Sequence, residues 1–255
     1  MNETTLQAIR EHAAKEYENE RRECCGLVII ERGREVYVPC SNKAARNPRT
    51  GKWDSFMLPA DEYSAAEDLG EIVCAVHSHP DASPEPSQGD LVRCEGSRLP
   101  WLIMAWPSGE TKMIEPRGYV APLVGRSFHH GTLDCYALVR DWYERERDIV
   151  LPDFGRTDGW WDDGQSDLYR QHYRDAGFED VADSPAAVHR AVRDLQVGDV
   201  ILMQIRSKNG VPNHAGVYIG DGCMLHHLHG RLSTRDVYGG YWLDCTRHVL
   251  RYVRE

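Results

Sequence analysis

Apolar residues along the chain change their spacing several times, and each change marks an element. Residues 1–22 carry Leu6, Ile9, Ala13 and Tyr17 at helical intervals, which predicts an amphipathic helix. Residues 25–30 (CGLVII) and 35–39 (EVYVP) read as strands joined by the turn Glu31-Arg32-Gly33-Arg34. A polar stretch with Gly and Pro over 41–55 predicts a loop, and a helix follows over 59–70, opening at Pro59-Ala60-Asp61. The apolar run before His77 predicts a buried strand over 72–77, followed by a helix over 88–96 and a strand over 101–106. The pattern breaks around Pro116-Arg117-Gly118 and Pro122 to Gly125, which predicts a linker over 116–125. Beyond it come a helix over 134–147 with Val139, Trp142 and Tyr143 on its apolar side, and an irregular stretch over 151–166. A second helix over 166–176 and strands over 199–205, 214–219 and 223–228 complete the pattern. The predicted fold class is therefore two domains: an α/β sheet with flanking helices over 1–115, then an α+β domain over 126–255, helices first and strands after.

Composition narrows the class. A chain of 255 residues accommodates one large or two modest domains, and 41 % hydrophobic residues suffice for a core. A net charge of −10, from 40 acidic and 30 basic residues, argues against a nucleic-acid backbone as partner. No window of about 18 apolar residues exists, so no membrane insertion is expected. The amphipathic start lacks the apolar core of a signal peptide, so folding in the cytoplasm is expected. The eight cysteines (24, 25, 40, 74, 94, 135, 223 and 245) form no CxxC pair, which argues against a zinc ribbon. Without a secretory signal they also argue against a disulfide framework. Most are expected as small buried apolar residues.

Two constellations carry chemistry. The first is His77-Ser78-His79-Pro80, followed after six residues by Ser87-Gln88-Gly89-Asp90. Alternate residues of a strand share a face, so His77 and His79 can grip one metal ion, with Asp90 able to return as a third ligand. Three protein ligands leave a fourth zinc position open for water, whose pKa a bound zinc lowers to roughly 7. Taken alone, Ser87-x-x-Asp90 before Leu91-Val92 is also a capping box, and the two roles can coexist. The stretch resembles the JAMM (JAB, MPN+) motif, HxHP followed by SxxD. That resemblance implies an MPN-like metallopeptidase fold with Zn2+ held by His77, His79 and Asp90. It also implies Ser87 as oxyanion donor, and an upstream glutamate as general base. The matching glutamate is Glu23, in Glu23-Cys24-Cys25-Gly26 before an apolar strand. Such enzymes cut peptide or isopeptide bonds; nothing in the chain identifies a ubiquitin-like substrate.

The second constellation is Cys135, His214 and His226. Cys135 stands at a predicted helix N-terminus in Gly131-Thr132-Leu133-Asp134-Cys135-Tyr136, where the helix dipole favours a thiolate. A nearby imidazolium and such a terminus can bring a cysteine pKa from about 8.5 to roughly 3.5–7.5. A nucleophilic cysteine needs a base, and the base an orienting partner. Asp134-Cys135, then Leu195-Gln196-Val197-Gly198-Asp199-Val200, then His214-Ala215-Gly216-Val217-Tyr218-Ile219-Gly220 and Leu225-His226 resemble the NlpC/P60 family of papain-like cysteine peptidases. The resemblance implies Cys135 as nucleophile, His214 as base and His226 as its orienting partner, acting on a peptidoglycan stem peptide, often between D-glutamate and diaminopimelate. Tyr136 and Ala137 stand where that family often has serine and glycine, a departure expected to reshape the pocket. His227 is the alternative to His226; adjacent strand residues face opposite ways, so one of them belongs to the site. His129 and His130 read as loop residues, and Trp160-Trp161 as core cover in preference to a sugar-binding cleft.

The two domains in this order resemble a family of tail-tip proteins of lambda-like siphophages. This implies tail-tip proteins as partners, manufacture in the host cytoplasm, and a place in tail assembly, in wall penetration, or in both. The competing expectations are a mainly structural assembly factor with vestigial or single-use sites, and a host wall-remodelling enzyme.

Overall fold

The computed structural model describes residues 1–47, 51, 53 and 55–254. The described chain forms two compact units, Met1–Val120 and Ala121–Glu255. Of the loop predicted over 41–55, residues 48–50, 52 and 54 lie outside the described residues.

The first unit opens with α1 (Glu3–Glu20), whose N-cap Asn2 accepts the Thr5 amide at 2.8 Å. A hairpin follows, β1 (Cys25–Glu31) and β2 (Arg34–Cys40), turned at Arg32 and Gly33, both at positive φ as a two-residue hairpin loop requires. Then come α2 (Ala60–Leu69), β3 (Glu71–Pro80), α3 (Gln88–Ser97), β4 (Trp101–Trp106) and β5 (Thr111–Ile114). The five strands lie in the order β2-β1-β3-β4-β5. Only β3 and β4 run parallel, joined through α3; the other pairs are antiparallel. β3 runs past the predicted end at 77 because β4 carries its pairing on to His79↔Ala105 and Pro80↔Trp106.

Period-two alternation sorts the sheet's two faces. Cys25, Leu27, Ile29, Ala75 and Ile103 pack with Ala66 of α2 and Cys94 of α3. Cys24, Val28, Cys74, Val76 and Met104 pack with Ile9 and Ala13 of α1. His77 and His79, in step with Ala75, therefore belong to the α2/α3 face. Five cysteines are buried in this unit, and all eight of the chain are free thiols.

The second unit contains α4 (Cys135–Arg147), α5 (Leu168–His172), β6 (Phe178–Ala182), α6 (Pro185–Ala191), β7 (Val200–Met203) and β8 (His214–Gly220). The chain ends in β9 (Cys223–His226), β10 (Thr234–Val237), α7 (Tyr241–Cys245) and β11 (Thr246–Tyr252). Six antiparallel strands lie in the order β10-β9-β8-β7-β11-β6. Leu138, Val139, Trp142 and Tyr143 of α4 bury themselves against Val200, Leu202, Ala215, Val217, Leu225 and Leu250 of one sheet face. Ile201, Met203 and Met224 face the other way, under Tyr238, Trp242 and Leu243. The helix expected over 166–176 is only five residues long, and its continuation is turns. β6, β10 and β11 have no counterpart in the sequence reading: their apolar residues are few and interleaved with charges, and β6 and β10 lie at the sheet's edges.

A pair of hydrogen bonds ties the start of β1 to β3. The Cys24 amide donates to Oγ of Ser78 at 2.9 Å, and the Ser78 amide donates to the Cys24 carbonyl at 3.1 Å. Both residues are buried. Ser78→Ala leaves a buried N–H without its acceptor and should destabilise the first unit by about 1–3 kcal/mol. Urea denaturation measures this; an unchanged midpoint would show that the clip carries no stability.

Candidate functional site

The α2/α3 face of β3 presents His77 and His79 to the N-terminus of α3. Their Nε2 atoms lie 3.1 Å apart, and Asp90 places Oδ1 3.5 Å from His77 Nε2 and Oδ2 3.5 Å from His79 Nε2. Four ligands around zinc with bonds of about 2.0–2.1 Å stand about 3.3–3.4 Å apart along the tetrahedron edges, so these spacings fit a zinc-sized cation. The donor set fits too. Nδ1 of His79 is 2.8 Å from the Ser83 carbonyl, which takes its proton and leaves the Nε2 lone pair for a metal. Burial pushes the pKa of His77 down to about 3, so its imidazole is neutral across the physiological range. Burial works against ionisation of Asp90, but His79, His77 and Ser87 outweigh it and hold the carboxyl well below its ordinary range. Burial likewise opposes protonation of His79, yet Asp90, the Ser83 carbonyl and Glu23 raise its pKa. The negative field that favours a proton there favours a cation equally. Among the described residues Nδ1 of His77 has no hydrogen-bond partner; its ring is held by Phe56, stacked at 4.6 Å, and by the edge of Trp101 at 5.5 Å.

Ser87 caps α3. Its Oγ accepts the Asp90 amide at 3.1 Å and donates to Asp90 Oδ2 at 2.7 Å, and the Ser87 amide reaches the same oxygen at 2.8 Å. The capping box and the ligand arrangement thus coexist, and the hydroxyl hydrogen is aimed at Asp90. Glu23 is buried two residues before the start of β1. Its charge acts on His79 and on Arg93, a largely desolvated guanidinium of α3 that also feels Asp90. Asn42, absent from the sequence reading, holds the Glu23 backbone in place. Its Nδ2 donates to the carbonyls of Glu23 and Ser55, both at 3.0 Å, and its Oδ1 accepts from the amides of Ala44 and Met57. An asparagine in a polar loop gives no signal of such a role by itself.

In the second unit Cys135 is the first residue of α4. Asp134 caps the helix, accepting the Ala137 amide at 2.9 Å and the Gly131 amide at 2.8 Å. Arg156 clamps the same carboxylate with Nε at 2.7 Å and Nη2 at 3.0 Å. Tyr169 places its hydroxyl 3.3 Å from the Cys135 sulfur. Burial pushes the Cys135 thiol up and Asp134 adds to this, while Tyr169, the Ala215 backbone and Arg156 pull the other way. Burial outweighs them, so the thiol's pKa is raised here, in the direction opposite to the one expected from a helix start.

His214 opens β8, with Nε2 2.9 Å from Nδ1 of His226 on β9. Gly216 lies opposite His226 in the ladder, and a Cβ there would stand 3.2 Å from the Cβ of His226. Its absence gives His226 room to lean towards His214. Burial drives the pKa of His214 well down, helped by its two histidine neighbours. It also lowers that of His226, against the pull of Asp236. Trp242 covers the pair, its ring 4.6 Å from that of His226. Asp236, Trp242, Tyr169 and Arg156 went unnoticed in the sequence because they lie on elements with weak patterns. His129 pairs with Leu133 in an isolated bridge, and Trp160 is buried against Tyr169.

His227 turns away from His214 and is fully buried against Phe128, whose ring lies edge-on at 5.1 Å. Burial, then the charge of Arg126, pushes its pKa down to about 4. The unfolded chain protonates it near 6.5, so its neutral burial costs nothing above that pH and destabilises the fold as pH falls from about 6.5 to 4. The stability lost between pH 7.5 and 4.5 should be about 1–3 kcal/mol smaller in His227→Leu. Urea midpoints at the two pH values test this, and equal losses in the two proteins would contradict it.

Comparison with known proteins places both units. The model of prokaryotic homologs of the JAB domain matches residues 2–117, and that of the NlpC/P60 family matches residues 125–251. A crystal structure of an NlpC/P60 family protein from Bacillus cereus aligns with 94 % of this chain and 67 % of its own, at 12 % identity and a TM-score of 0.33. Tail tip assembly protein K of Escherichia phage lambda is 38 % identical over 195 residues, 76 % of this chain and 89 % of that protein. Its counterpart in Escherichia phage N15 is 38 % identical over 253 residues, 99 % of this chain and 96 % of that protein. With identity sustained across both domains, the chain belongs to the tail tip assembly protein K family of lambda-like phages, a JAB-like domain followed by an NlpC/P60 domain.

Proposed function

We propose that the protein is a two-site hydrolase of a phage tail tip, which cleaves a stem-peptide amide of peptidoglycan at Cys135 and a peptide or isopeptide bond at the His77–His79–Asp90 centre. It would act in tail assembly, in wall penetration, or in both, with other tail-tip proteins as partners. The observation that carries the reading is the His214–His226 contact at 2.9 Å, in the domain whose helix α4 starts with Cys135. His214 spends Nε2 on His226, and Nδ1 is left as the base. In the attack the Cys135 sulfur bonds to the amide carbonyl carbon while His214 takes the thiol proton, and His214 then returns that proton to the leaving amine. Water hydrolyses the resulting thioester with His214 again as base. Burial raises the thiol's pKa and lowers the imidazole's, which disfavours a thiolate–imidazolium pair in the resting site.

At the first site His77, His79 and Asp90 would hold a zinc ion, which supplies Lewis-acid activation of water and of the scissile carbonyl. Glu23 accepts the water's proton and passes it to the leaving amine. Ser87 turns its hydroxyl from Asp90 to donate to the developing oxyanion. Arg93 of α3 lies in the field of both Asp90 and Glu23.

Digestion of purified peptidoglycan, with mass spectrometry of the released fragments, tests the second site. Wild type should release fragments cut at one stem-peptide bond, and Cys135→Ala should lower the rate by about a thousandfold or more. Equal release from the variant, or none from wild type, would reject the reading; the latter outcome would favour a mainly structural assembly factor. For the first site, elemental analysis of the purified chain should find one equivalent of zinc in wild type and a clear loss in Asp90→Ala. Undiminished zinc in the variant would remove Asp90 from the ligand set.

A further inference from the structure

The Cys-His-His reading leaves one charged neighbour without a role. Asp236 lies on the edge strand β10, with Oδ2 3.1 Å from Nε2 of His226. The other nitrogen of His226, Nδ1, is the one 2.9 Å from Nε2 of His214. The three side chains come from three neighbouring strands, β8, β9 and β10. The residues directly opposite His226 are Gly216 on one side and Thr234 on the other. His214 and Asp236 are thus its diagonal neighbours, two positions along each strand, within the reach of long side chains on one sheet face.

We propose that Asp236 is a positioning residue which, through His226, dictates the nitrogen of His214 that is free to act as a base. The inference rests on the reading of Cys135 and His214 as the peptidase pair. The argument is a count of protons. Each of the two contacts holds one hydrogen. An ionised carboxylate accepts only, so the hydrogen of the first contact is on Nε2 of His226. A neutral imidazole carries one N–H, so Nδ1 of His226 is an acceptor. The hydrogen of the second contact is then on Nε2 of His214, and the lone pair of His214 is on Nδ1. Without an acceptor at position 236 the polarity of the relay is open. His226 could carry its hydrogen on Nδ1 and donate to His214, whose own hydrogen would then sit on Nδ1 and block the base. Trp242, edge-on to His226 at 4.6 Å, helps to hold the ring in this orientation.

Asp236 keeps a quarter of its side chain exposed and sits on an edge strand, so its replacement should be tolerated by the fold. The test uses the full chain labelled with 15N-histidine, in wild type, Asp236→Leu and Asp236→Asn. Nitrogen–proton NMR should find the hydrogen on Nε2 of both His214 and His226 in wild type, and a mixture of tautomers in Asp236→Leu. Asp236→Asn should retain the wild-type pattern, because its amide oxygen can accept the same hydrogen. The rate of Cys135 alkylation by iodoacetamide at pH 7, read by mass spectrometry of the Cys135 peptide, should fall about tenfold in the leucine variant and stay within about twofold in the asparagine variant. Hydrogen on Nδ1 of either histidine in wild type would overturn the inference. So would wild-type tautomers and an unchanged alkylation rate in Asp236→Leu, the result expected of a merely structural residue. None of these readouts uses a substrate. A relay that fails while wall cleavage persists rejects the role of Asp236 alone, whereas absent wall cleavage rejects the peptidase reading.

Discussion

Residues two apart on a strand share a face, and a slip of one residue turns every side chain over. Both candidate sites hang on that constraint. In the first unit the pairing of Cys25 with His77 and of His77 with Ile103 fixes both histidines towards α3. The exchange of hydrogen bonds between Cys24 and Ser78 locks the register where Glu23 joins the site. Ser78, the residue between the two histidines, is thereby the one that points to the opposite face. In the second unit the register of β8 on β9 on β10 sets three polar side chains on a diagonal. Gly216 makes the diagonal possible by giving up a side chain opposite His226. Neither arrangement needs an unusual backbone; each needs strands paired in one register only.

The two sites answer the same electrostatic problem differently. An imidazole taken from water into a core loses its tendency to protonate, and His77, His214 and His226 all show this. In the first site the anionic Asp90 sits among the imidazoles, and the balance of charge calls for a cation. In the second, among the described residues, the carboxylate in contact with the histidine pair lies at its far end, beyond His226. The negative charge there is too remote to hold a proton on His214, and it orders the hydrogens of the chain instead. Residues of the same type thus make a cluster with metal-ligand spacing in one sheet and a hydrogen-bonded imidazole pair in the other.

Legibility followed the strength of local pattern. The HxHP…SxxD spacing and the helix-start cysteine could be read because each packs its chemistry into a short stretch on an element with strong periodicity. β1, β3, β4, α4 and β8 were visible as apolar runs because they are central and buried. The parts that stayed hidden are at edges or in loops. β10 alternates half-buried with exposed residues and carries Thr234 to Val237, a segment with no apolar run. Asp236 on it acquires meaning only when the register of β9 is known. Asn42 is one polar residue in a polar loop, and its burial and four hydrogen bonds are tertiary facts. The upward push on the thiol's pKa was hidden for a related reason: a helix start is a local property readable from position, whereas burial of the thiol is a tertiary fact.

Helix starts supply the remaining parallel between the two units. At both, a carboxylate satisfies the free amides of the first turn, Asp90 in α3 and Asp134 in α4. In α3 that carboxylate itself faces the histidines, so the cap and the candidate ligand are one group. In α4 the cap is adjacent to Cys135, where a bare negative charge would oppose formation of a thiolate, as the upward push of Asp134 on Cys135 shows. Arg156 meets Asp134 with a two-pronged contact and also donates to Asp153 and the Phe154 carbonyl. It therefore neutralises the cap beside the thiol and ties the irregular stretch after α4 to the helix start. The same capping device stands beside a candidate cation site in one domain and beside a buried thiol in the other, and the second pairs its carboxylate with a guanidinium in a two-pronged contact.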